Sequence, residues 1–208
     1  MPVKAGRKNF VKIFTMILPI IAYGHNILKQ KCSPVAENPD LHQLIKDMWE
    51  TMQNANGCGL AAPQIGQTKQ LFIVDSTSVY QLMDAEDREH YFESDDRGIK
   101  ETFINARITD YSDELWDDYE GCLSIPGLSQ KVRRPWSINI EYLNADLQLQ
   151  QRSFSGATAR TIQHEYDHTQ GILYLDHLKP LTRKLMETKL RKIKNGQTEI
   201  NYPVKYLK

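Results

Sequence analysis

Two histidines four residues apart set the strongest limit on what this chain can be. His164 and His168 lie in the stretch T-I-Q-H-E-Y-D-H, residues 161–168, and Glu165 follows the first of them directly. If the stretch is helical, residues i and i+4 lie on one face, so both imidazoles can bind one metal ion. A metal ion that activates water, beside a carboxylate that accepts and returns a proton, is the apparatus of metal-assisted hydrolysis. Two histidines are too few for a tight site, so we expect a third ligand from elsewhere in the chain.

A cysteine thiolate is the strongest remaining donor for such a site. The chain contains three cysteines: Cys32, Cys58 and Cys122. The surroundings of Cys122 are the most telling, because Gly121 lets backbone approach a site and Glu120 is a polar residue just before an apolar run. One cysteine and two histidines leave a fourth position free for water, as a catalytic metal requires. We therefore expect Cys122 and the two histidines to bind the metal.

The composition is that of an ordinary globular protein. The chain has 208 residues, of which 40% are hydrophobic and 25% are charged, which suffices for one domain with a substantial core. The 26 Lys and Arg residues balance the 26 Asp and Glu residues, so no overall charge favours nucleic acid or an acidic membrane surface. An odd number of widely spaced cysteines favours reduced thiols in a cytoplasmic protein over a disulfide framework.

The N-terminus carries basic residues followed by an apolar run at residues 13–22. This pattern loosely resembles a signal peptide, but Pro19 interrupts the run and no clear small-residue cleavage site follows. The run is also too short to cross a bilayer as a helix. We expect residues 1–15 to be a disordered extension and residues 16–208 to form a single catalytic domain with no membrane association.

The spacing of apolar residues predicts a mixture of helices and strands. Helical spacing predicts amphipathic helices over residues 41–52 and 181–193. Strands are expected at residues 71–74 and 103–108, and an antiparallel hairpin over residues 137–151. The metal-binding helix is expected to be capped by Thr158 and to end at Gly171.

The expected fold class is α+β, with antiparallel sheets surrounding a central metal-binding helix and a C-terminal helix outside them. Residues 75–101 are rich in Asp and Glu, and we interpret them as a surface insertion containing one helical turn. Arg134 is expected to pair with Glu120 or with another acid.

A second stretch, G-C-G-L-A-A-P-Q at residues 57–64, combines glycines with small residues and ends on the polar Gln64. Such a pattern indicates backbone that another group approaches closely. The stretch is not a phosphate-binding loop, because the pattern G-x-x-x-x-G-K-[ST] is absent from it.

Three stretches together resemble the signature motifs of the peptide deformylase family, bacterial type. They are G-C-G-L-A-A-P-Q (57–64), E-G-C-L-S (120–124) and Q-H-E-Y-D-H (163–168), and they occur in the family's order and spacing. The resemblance extends from about Ile17 to the last helix. It implies a metallohydrolase that removes the formyl group from the N-terminal formylmethionine of nascent polypeptides and releases formate.

The resemblance also implies roles for the central residues of the site. Cys122, His164 and His168 would bind one divalent metal ion, natively Fe(II), with nickel, cobalt or zinc as substitutes. Glu165 would act as the general base and then as the general acid. Gln64 would hold the formyl oxygen as negative charge develops on it, together with the backbone N–H of Leu123.

For the substrate, the resemblance implies an extended peptide whose backbone contacts Gly59. Arg160 and Thr161, one turn before the metal ligands on the helix, are expected beside the methionine. Cys58 stands where the family usually has a β-branched aliphatic residue and is expected to line the same region. Ser129 stands where some members carry an arginine that contacts the substrate. In bacterial relatives the last helix is implicated in docking to the ribosome, and the basic residues of 183–194 fit either RNA phosphates or a solvated helix face.

Two other classes of protein are alternatives. An H-E-x-x-H zinc metallopeptidase would share both histidines but would need a downstream ligand, and Asp176 and His177 lie beyond the helix-breaking Gly171. A non-enzymatic module stabilised by metal would normally close its site with four protein ligands. It would leave Glu165 and Gln64 without a role.

Overall fold

The computed structural model describes residues 15–207. The expected disordered extension, residues 1–15, lies outside this range apart from Thr15. The helices are α1 (Leu41–Asn54), α2 (Ser76–Leu82), α3 (Ala85–Tyr91), α4 (Gly156–Thr169) and α5 (Pro180–Lys194). The strands are β1 (Ile20–Ile21), β2 (Gly59–Ala61), β3 (Leu71–Asp75), β4 (Lys100–Tyr111), β5 (Leu115–Cys122), β6 (Ile125–Pro135), β7 (Ser137–Leu143), β8 (Leu149–Ser155) and β9 (Val204–Lys205). Short 3-10 helices span Asn26–Lys29, Ala62–Ile65 and Tyr174–His177.

The strands form three separate sheets. The largest has five antiparallel strands in the order β2-β3-β4-β7-β8, so β2 is an edge strand. Strands β5 and β6 form an antiparallel hairpin of their own, and β1 pairs in parallel with β9 near the end of the chain. The edge position of β2 leaves one side of its backbone free of sheet partners.

Helix α4 packs against the five-stranded sheet through a buried apolar face. Ala159 and Ile162 belong to a core cluster with side chains of β3, β4, β7 and β8. The rings of Phe72 and Phe103 stack with centroids 4.7 Å apart, and Tyr142 lies 4.3 Å from Phe103. This packing fixes α4 in the middle of the molecule, and the opposite face of the helix is left for the functional site.

The expected fold class is confirmed. Antiparallel sheets surround α4, and α5 lies at the C-terminal side with Met186, Leu190 and Ile193 buried. The two amphipathic helices, both expected strands and the hairpin of β7 and β8 are all present. Among residues 15–207, no helix is both long enough and apolar enough to span a membrane.

Two expectations need correction. Residues 75–101 hold two helices, α2 and α3, because Asp75 and Asp84 cap them by accepting hydrogen bonds from the backbone N–H groups of Ser78 and Asp87. Helix α4 begins at Gly156, so Thr158 lies inside its first turn and does not cap it. The hydroxyl of Thr158 contacts Ser76 and donates to Asp96, which joins α4 to the insertion.

The hairpin of β5 and β6 is an additional element that the sequence did not indicate. Helix α4 does end where expected, because Gly171 adopts a left-handed conformation with φ +76° directly after the last turn.

Candidate metal centre

The residues expected to bind metal lie together at the centre of the molecule. His164 and His168 project from one face of α4, and Cys122 is the last residue of β5. One donor atom from each residue lies within 4.8 Å of the donor atoms of the other two. The sulfur of Cys122 is 3.2 Å from Nε2 of His168. Both histidines are buried, and Cys122 is partly exposed.

This cluster fits a single metal ion. Ligands around one tetrahedral ion lie roughly 3 to 4 Å from one another, and the three donor atoms all lie within 4.8 Å of one another, close enough to converge on one ion. A thiolate and two imidazoles suit iron, nickel, cobalt and zinc, and three ligands leave a coordination position free. Nδ1 of His168 is buried without a hydrogen-bond partner among the described residues, whereas Nε2 of the same ring faces the Cys122 sulfur and is the nitrogen placed for a shared metal ion.

A buried carboxylate sets the orientation of His164. Oε2 of Glu120 lies 2.9 Å from Nδ1 of His164, which leaves Nε2 of that ring for the metal. Arg134 donates two hydrogen bonds to Glu120, of 2.6 and 2.9 Å, and Arg160 donates one of 2.7 Å. Burial would raise the pKa of Glu120, but hydrogen bonds from His164 and Arg134 hold that pKa well below its usual range.

The network continues away from the metal. Arg134 donates to Asp167 at 2.8 Å, and His177 lies 2.7 Å from the same carboxylate oxygen. Two guanidinium groups therefore balance two carboxylates in a largely buried cluster. The expected pairing of Arg134 with Glu120 is confirmed.

The carboxylate of Glu165 has an unusual environment. Its side chain is 4% exposed, and Oε2 has no hydrogen-bond partner among residues 15–207. Burial raises the pKa of Glu165 to about 7, because desolvation disfavours the charged form, and the nearby His164 opposes the shift. An unpartnered carboxylate oxygen beside a metal-binding cluster is suited to exchange a proton with a bound molecule.

Gly59 packs directly against this carboxylate. A Cβ atom added at Gly59 would lie 2.7 Å from Cγ and 2.8 Å from Cδ of Glu165. Glycine is therefore required here by the close approach of the backbone to the Glu165 side chain.

Gln64 and Leu123 flank Cys122. The Gln64 amide nitrogen lies 3.5 Å from the Cys122 sulfur and 3.3 Å from the hydroxyl of Ser124. Its carbonyl oxygen accepts a hydrogen bond of 2.7 Å from the backbone N–H of Ala61, which fixes the direction of the amide. Gln64 is 1% exposed and does not line the cleft, whereas Leu123 does.

A cleft of about 890 Å³ leads from the surface to this cluster. Its walls include the expected substrate neighbours Cys58, Gly59, Arg160 and Thr161, as well as His164 and Glu165. The guanidinium of Arg160 is turned to Glu120 and to backbone carbonyl groups, so it is not free to bind substrate.

Sequence reasoning missed several residues of the cleft wall. They are Tyr119, the first residues of β6 from Ile125 to Leu128, and Glu199 to Tyr202 near the end of the chain. The run Ile125–Pro126–Gly127 directly after the second motif was the available signal for the first group. The C-terminal residues carry no pattern that indicates a site.

The site combines a cysteine at a strand end with two histidines and an unpartnered carboxylate on a helix enclosed by antiparallel strands. This arrangement defines a metal-dependent hydrolase. The family model described as polypeptide deformylase matches residues 17–184. The chain belongs to this family.

Known relatives agree over nearly the whole chain. The chain is 41% identical over 192 residues to a peptide deformylase of Flavobacterium johnsoniae, which covers 92% of this chain and 96% of the relative. It is 40% identical over 190 residues to a peptide deformylase of Salinibacter ruber, covering 91% and 94%. The crystal structure of peptide deformylase from Ehrlichia chaffeensis superposes with a TM-score of 0.75 at 28% identity, covering 87% of this chain and 98% of that one.

A plant structure is similar as well. Peptide deformylase 1B of Arabidopsis thaliana, solved with an inhibitor, gives a TM-score of 0.73 at 29% identity and covers 86% of this chain and 91% of that one. The expected activity is therefore confirmed: the enzyme is a metal-dependent hydrolase that removes the formyl group from nascent peptides. The metallopeptidase alternative is not favoured.

Proposed function

We propose that Cys122, His164 and His168 bind one Fe(II) ion and that Glu165 moves the protons of the reaction. The observation that carries this assignment is the unpartnered Oε2 of Glu165, buried beside a cluster of three donor atoms at the end of a cleft. The donor set suits Fe(II) as well as nickel, cobalt and zinc, and the family resemblance favours Fe(II). When bound, such an ion activates water and polarises the formyl carbonyl group.

Glu165 has two successive tasks in this proposal. Its carboxylate accepts a proton from the water molecule that attacks the formyl carbon, and it holds that proton while the tetrahedral intermediate exists. It then delivers the proton to the amine nitrogen as the carbon–nitrogen bond breaks. The products are formate and a peptide with a free N-terminal methionine.

Gln64 and the backbone N–H of Leu123 stabilise the oxygen on which negative charge develops. The hydrogen bond from Ala61 N–H to Gln64 fixes the amide before substrate arrives. Donors that are already oriented need no reorganisation when charge appears, and this is the basis of oxyanion stabilisation.

The substrate lies along β2 as an additional extended strand. The free edge of β2 supports this arrangement, because backbone groups on that side lack sheet partners. Gly59 brings this edge close to Glu165. The methionine side chain lies beside Cys58, Thr161 and the nonpolar part of Arg160. Close walls at Gly59 and Leu123 favour formyl, the smallest acyl group, over acetyl.

The same proposal covers the binding partner of the enzyme, its cellular location and the bounds of its domain. Residues 16–208 form one catalytic domain that works in the cytoplasm on N-formylmethionyl nascent chains. The basic residues of 183–194 dock to the ribosome. Support for this docking comes from the orientation of α5, which buries Met186, Leu190 and Ile193 and leaves most of the basic side chains exposed.

The metal assignment is tested by comparing Cys122→Ala with Cys32→Ala. Loss of the thiolate at position 122 removes one of three ligands, so we expect that variant to lose both metal and formate release. Cys32 is not one of the three clustered donors, and its variant should keep about one metal ion per chain. Metal content by atomic absorption and formate release from formyl-Met-Ala are the readouts. Full metal content in Cys122→Ala contradicts the assignment.

The identity of the metal is tested by exposure to air. Protein purified without oxygen should release formate and lose this activity in air, because Fe(II) and its thiolate ligand oxidise. Activity that persists unchanged in air would exclude Fe(II) and indicate zinc or nickel, while leaving the ligand assignment intact.

A further inference from the structure

The end of the chain returns to the active-site cleft. After α5, Glu199 to Tyr202 line the cleft on the side of the Cys122–Leu123–Ser124 loop. This loop carries one proposed metal ligand and the backbone N–H proposed to bind the oxyanion. Its conformation therefore bears directly on catalysis.

The returning segment is held by backbone hydrogen bonds. Strand β9 pairs with β1, with Ile20 N–H donating to the carbonyl of Pro203 at 2.9 Å and Ala22 N–H to the carbonyl of Lys205 at 3.0 Å. The residue after that contact, Tyr23, donates its N–H to the carbonyl oxygen of Ser124 at 2.8 Å. One end of the loop is thus fixed to the segment that β9 holds in place.

Tyr202 fixes the loop at the neighbouring carbonyl. Its hydroxyl donates a hydrogen bond of 2.8 Å to the backbone oxygen of Leu123. The ring is half-buried and packs against a cluster of core side chains that includes Met52 and Leu60. Burial raises the pKa of Tyr202 to about 12, so the hydroxyl stays protonated and remains a donor.

This contact limits the direction of the Leu123 N–H. The two peptide planes that flank the Leu123 Cα carry its N–H on one side and its carbonyl on the other. The carbonyl plane is held by Tyr202, and the N–H plane is attached to Cys122, whose sulfur faces His168. With both planes held, rotation about the two backbone dihedrals is restricted.

We propose that Tyr202 is a positioning residue for the oxyanion-binding N–H of Leu123. The inference rests on the proposed role of Leu123. Tyr202 contacts the loop through its hydrogen bond to the Leu123 carbonyl, and it acts through the loop backbone. A donor aimed at the oxyanion stabilises the transition state more than the bound substrate. Loss of this contact should therefore lower kcat and leave KM nearly unchanged.

The test is Tyr202→Phe, which removes the hydroxyl and keeps the ring. We expect kcat for formyl-Met-Ala to fall about tenfold with KM within about twofold, because loss of one oxyanion donor outright costs about 10²- to 10³-fold. Metal content and the unfolding midpoint should match the unmodified enzyme. The matched control is Tyr206→Phe on the same segment, whose hydroxyl makes no hydrogen bond to any residue in 15–207, and its kcat should be unchanged.

A second variant, Gln64→Leu, separates the two levels of the proposal. If Gln64→Leu loses about 10²-fold in kcat and Tyr202→Phe loses nothing, the positioning role is overturned while the oxyanion assignment stands. If neither variant loses kcat, the oxyanion assignment fails and takes the positioning role with it. If Tyr202→Phe lowers kcat and also lowers the metal content or the unfolding midpoint, Tyr202 is a structural residue and the proposal is wrong.

Discussion

In the proposed mechanism, Glu165 is the side chain on which turnover depends most directly. It is buried, and its Oε2 has no hydrogen-bond partner within residues 15–207. A group in this position can exchange protons without first breaking a protein hydrogen bond at that oxygen. The surrounding residues, from Gly59 on one side to the α4 backbone on the other, hold it in a single place.

Replacing Glu165 with Gln should abolish turnover and leave the metal in place. Gln has nearly the same shape but cannot accept and return a proton, so we expect kcat to fall about 10²- to 10⁴-fold. Formate release and metal content, measured on the same preparation, give the answer. Glu187→Gln on the exposed face of α5 is the matched control. Full activity of Glu165→Gln would refute the role of Glu165 in proton transfer.

The central position of Glu120 in the buried network was not evident from the sequence. Glu120 stands beside Cys122 in the motif, but its partners Arg134, Arg160 and His164 come from β6 and α4. Because these partners lie far from Glu120 along the chain, no local sequence pattern reveals the network. Only the pairing with Arg134 was expected, and the contact with His164 emerged from the fold.

Glu120→Gln should weaken both folding and metal binding. It leaves two buried guanidinium groups without their shared carboxylate, which costs roughly 3–5 kcal/mol in the free energy of unfolding. It also loosens the His164 ring, and loss of such support lowers metal affinity about 10- to 100-fold. Urea unfolding and a metal-competition titration measure the two effects.

The control for Glu120 is Glu141→Gln. Glu141 pairs with Arg107 at 2.7 Å on the surface, so its loss should cost roughly 1 kcal/mol or less. Equal losses in the two variants would mean that the buried network contributes no more than a surface ion pair.

At the level of secondary-structure elements, β2 and α4 together form the reaction site. Strand β2 is short and lies at the sheet edge, and α4 passes beneath it with Glu165 directed at Gly59. The strand can approach the helix this closely because Gly59 has no side chain. The edge can therefore accept a substrate strand within reach of the carboxylate.

Gly59→Ala should lower kcat by about 10- to 100-fold, because the new Cβ would displace the Glu165 side chain from its position. The control is Gly121→Ala, another glycine of the cleft, where an added Cβ would meet nothing closer than 3.8 Å. That variant should stay within about threefold of the unmodified enzyme. Steady-state kinetics distinguish the two, and similar losses in both would show that any added methyl group in the cleft is harmful.

Elements with a strong hydrophobic period could be predicted from the sequence, and the others could not. Helices α1 and α5 and strand β7 bury side chains along one face, and β3 is a short run of buried apolar residues, so the pattern revealed them. Strand β5 has one buried residue, Glu120, so its alternation of apolar and polar residues is too weak to see. Helices α2 and α3 bury almost nothing and depend on their aspartate caps.

The site itself was predictable in its chemistry but not in its walls. The motifs identify donors and a carboxylate because their spacing follows from one helix and one strand end. The cleft instead combines residues 56–59, 119–129, 160–165 and 199–202. Such an arrangement depends on the return of β9 to β1, which involves two strands of two residues each and leaves no trace in the hydrophobic pattern.

On the scale of the whole molecule, distant parts of the chain converge on one loop. The loop at residues 122–124 is bonded to Tyr23 near the start of the described residues and to Tyr202 near their end. Helix α4 supplies two donor atoms and the carboxylate, and the hairpin of β5 and β6 supplies the third donor. The molecule thus encloses a buried hydrolytic centre that is open to one cleft.

Formate release from formyl-Met-Ala by protein purified without oxygen and loaded with one Fe(II) ion per chain tests the account most directly. Acetyl-Met-Ala serves as the control substrate, because the close walls at Gly59 and Leu123 should exclude the larger acyl group. We expect steady release of formate in proportion to bound metal, with little release of acetate. No formate from the metal-loaded protein would contradict it.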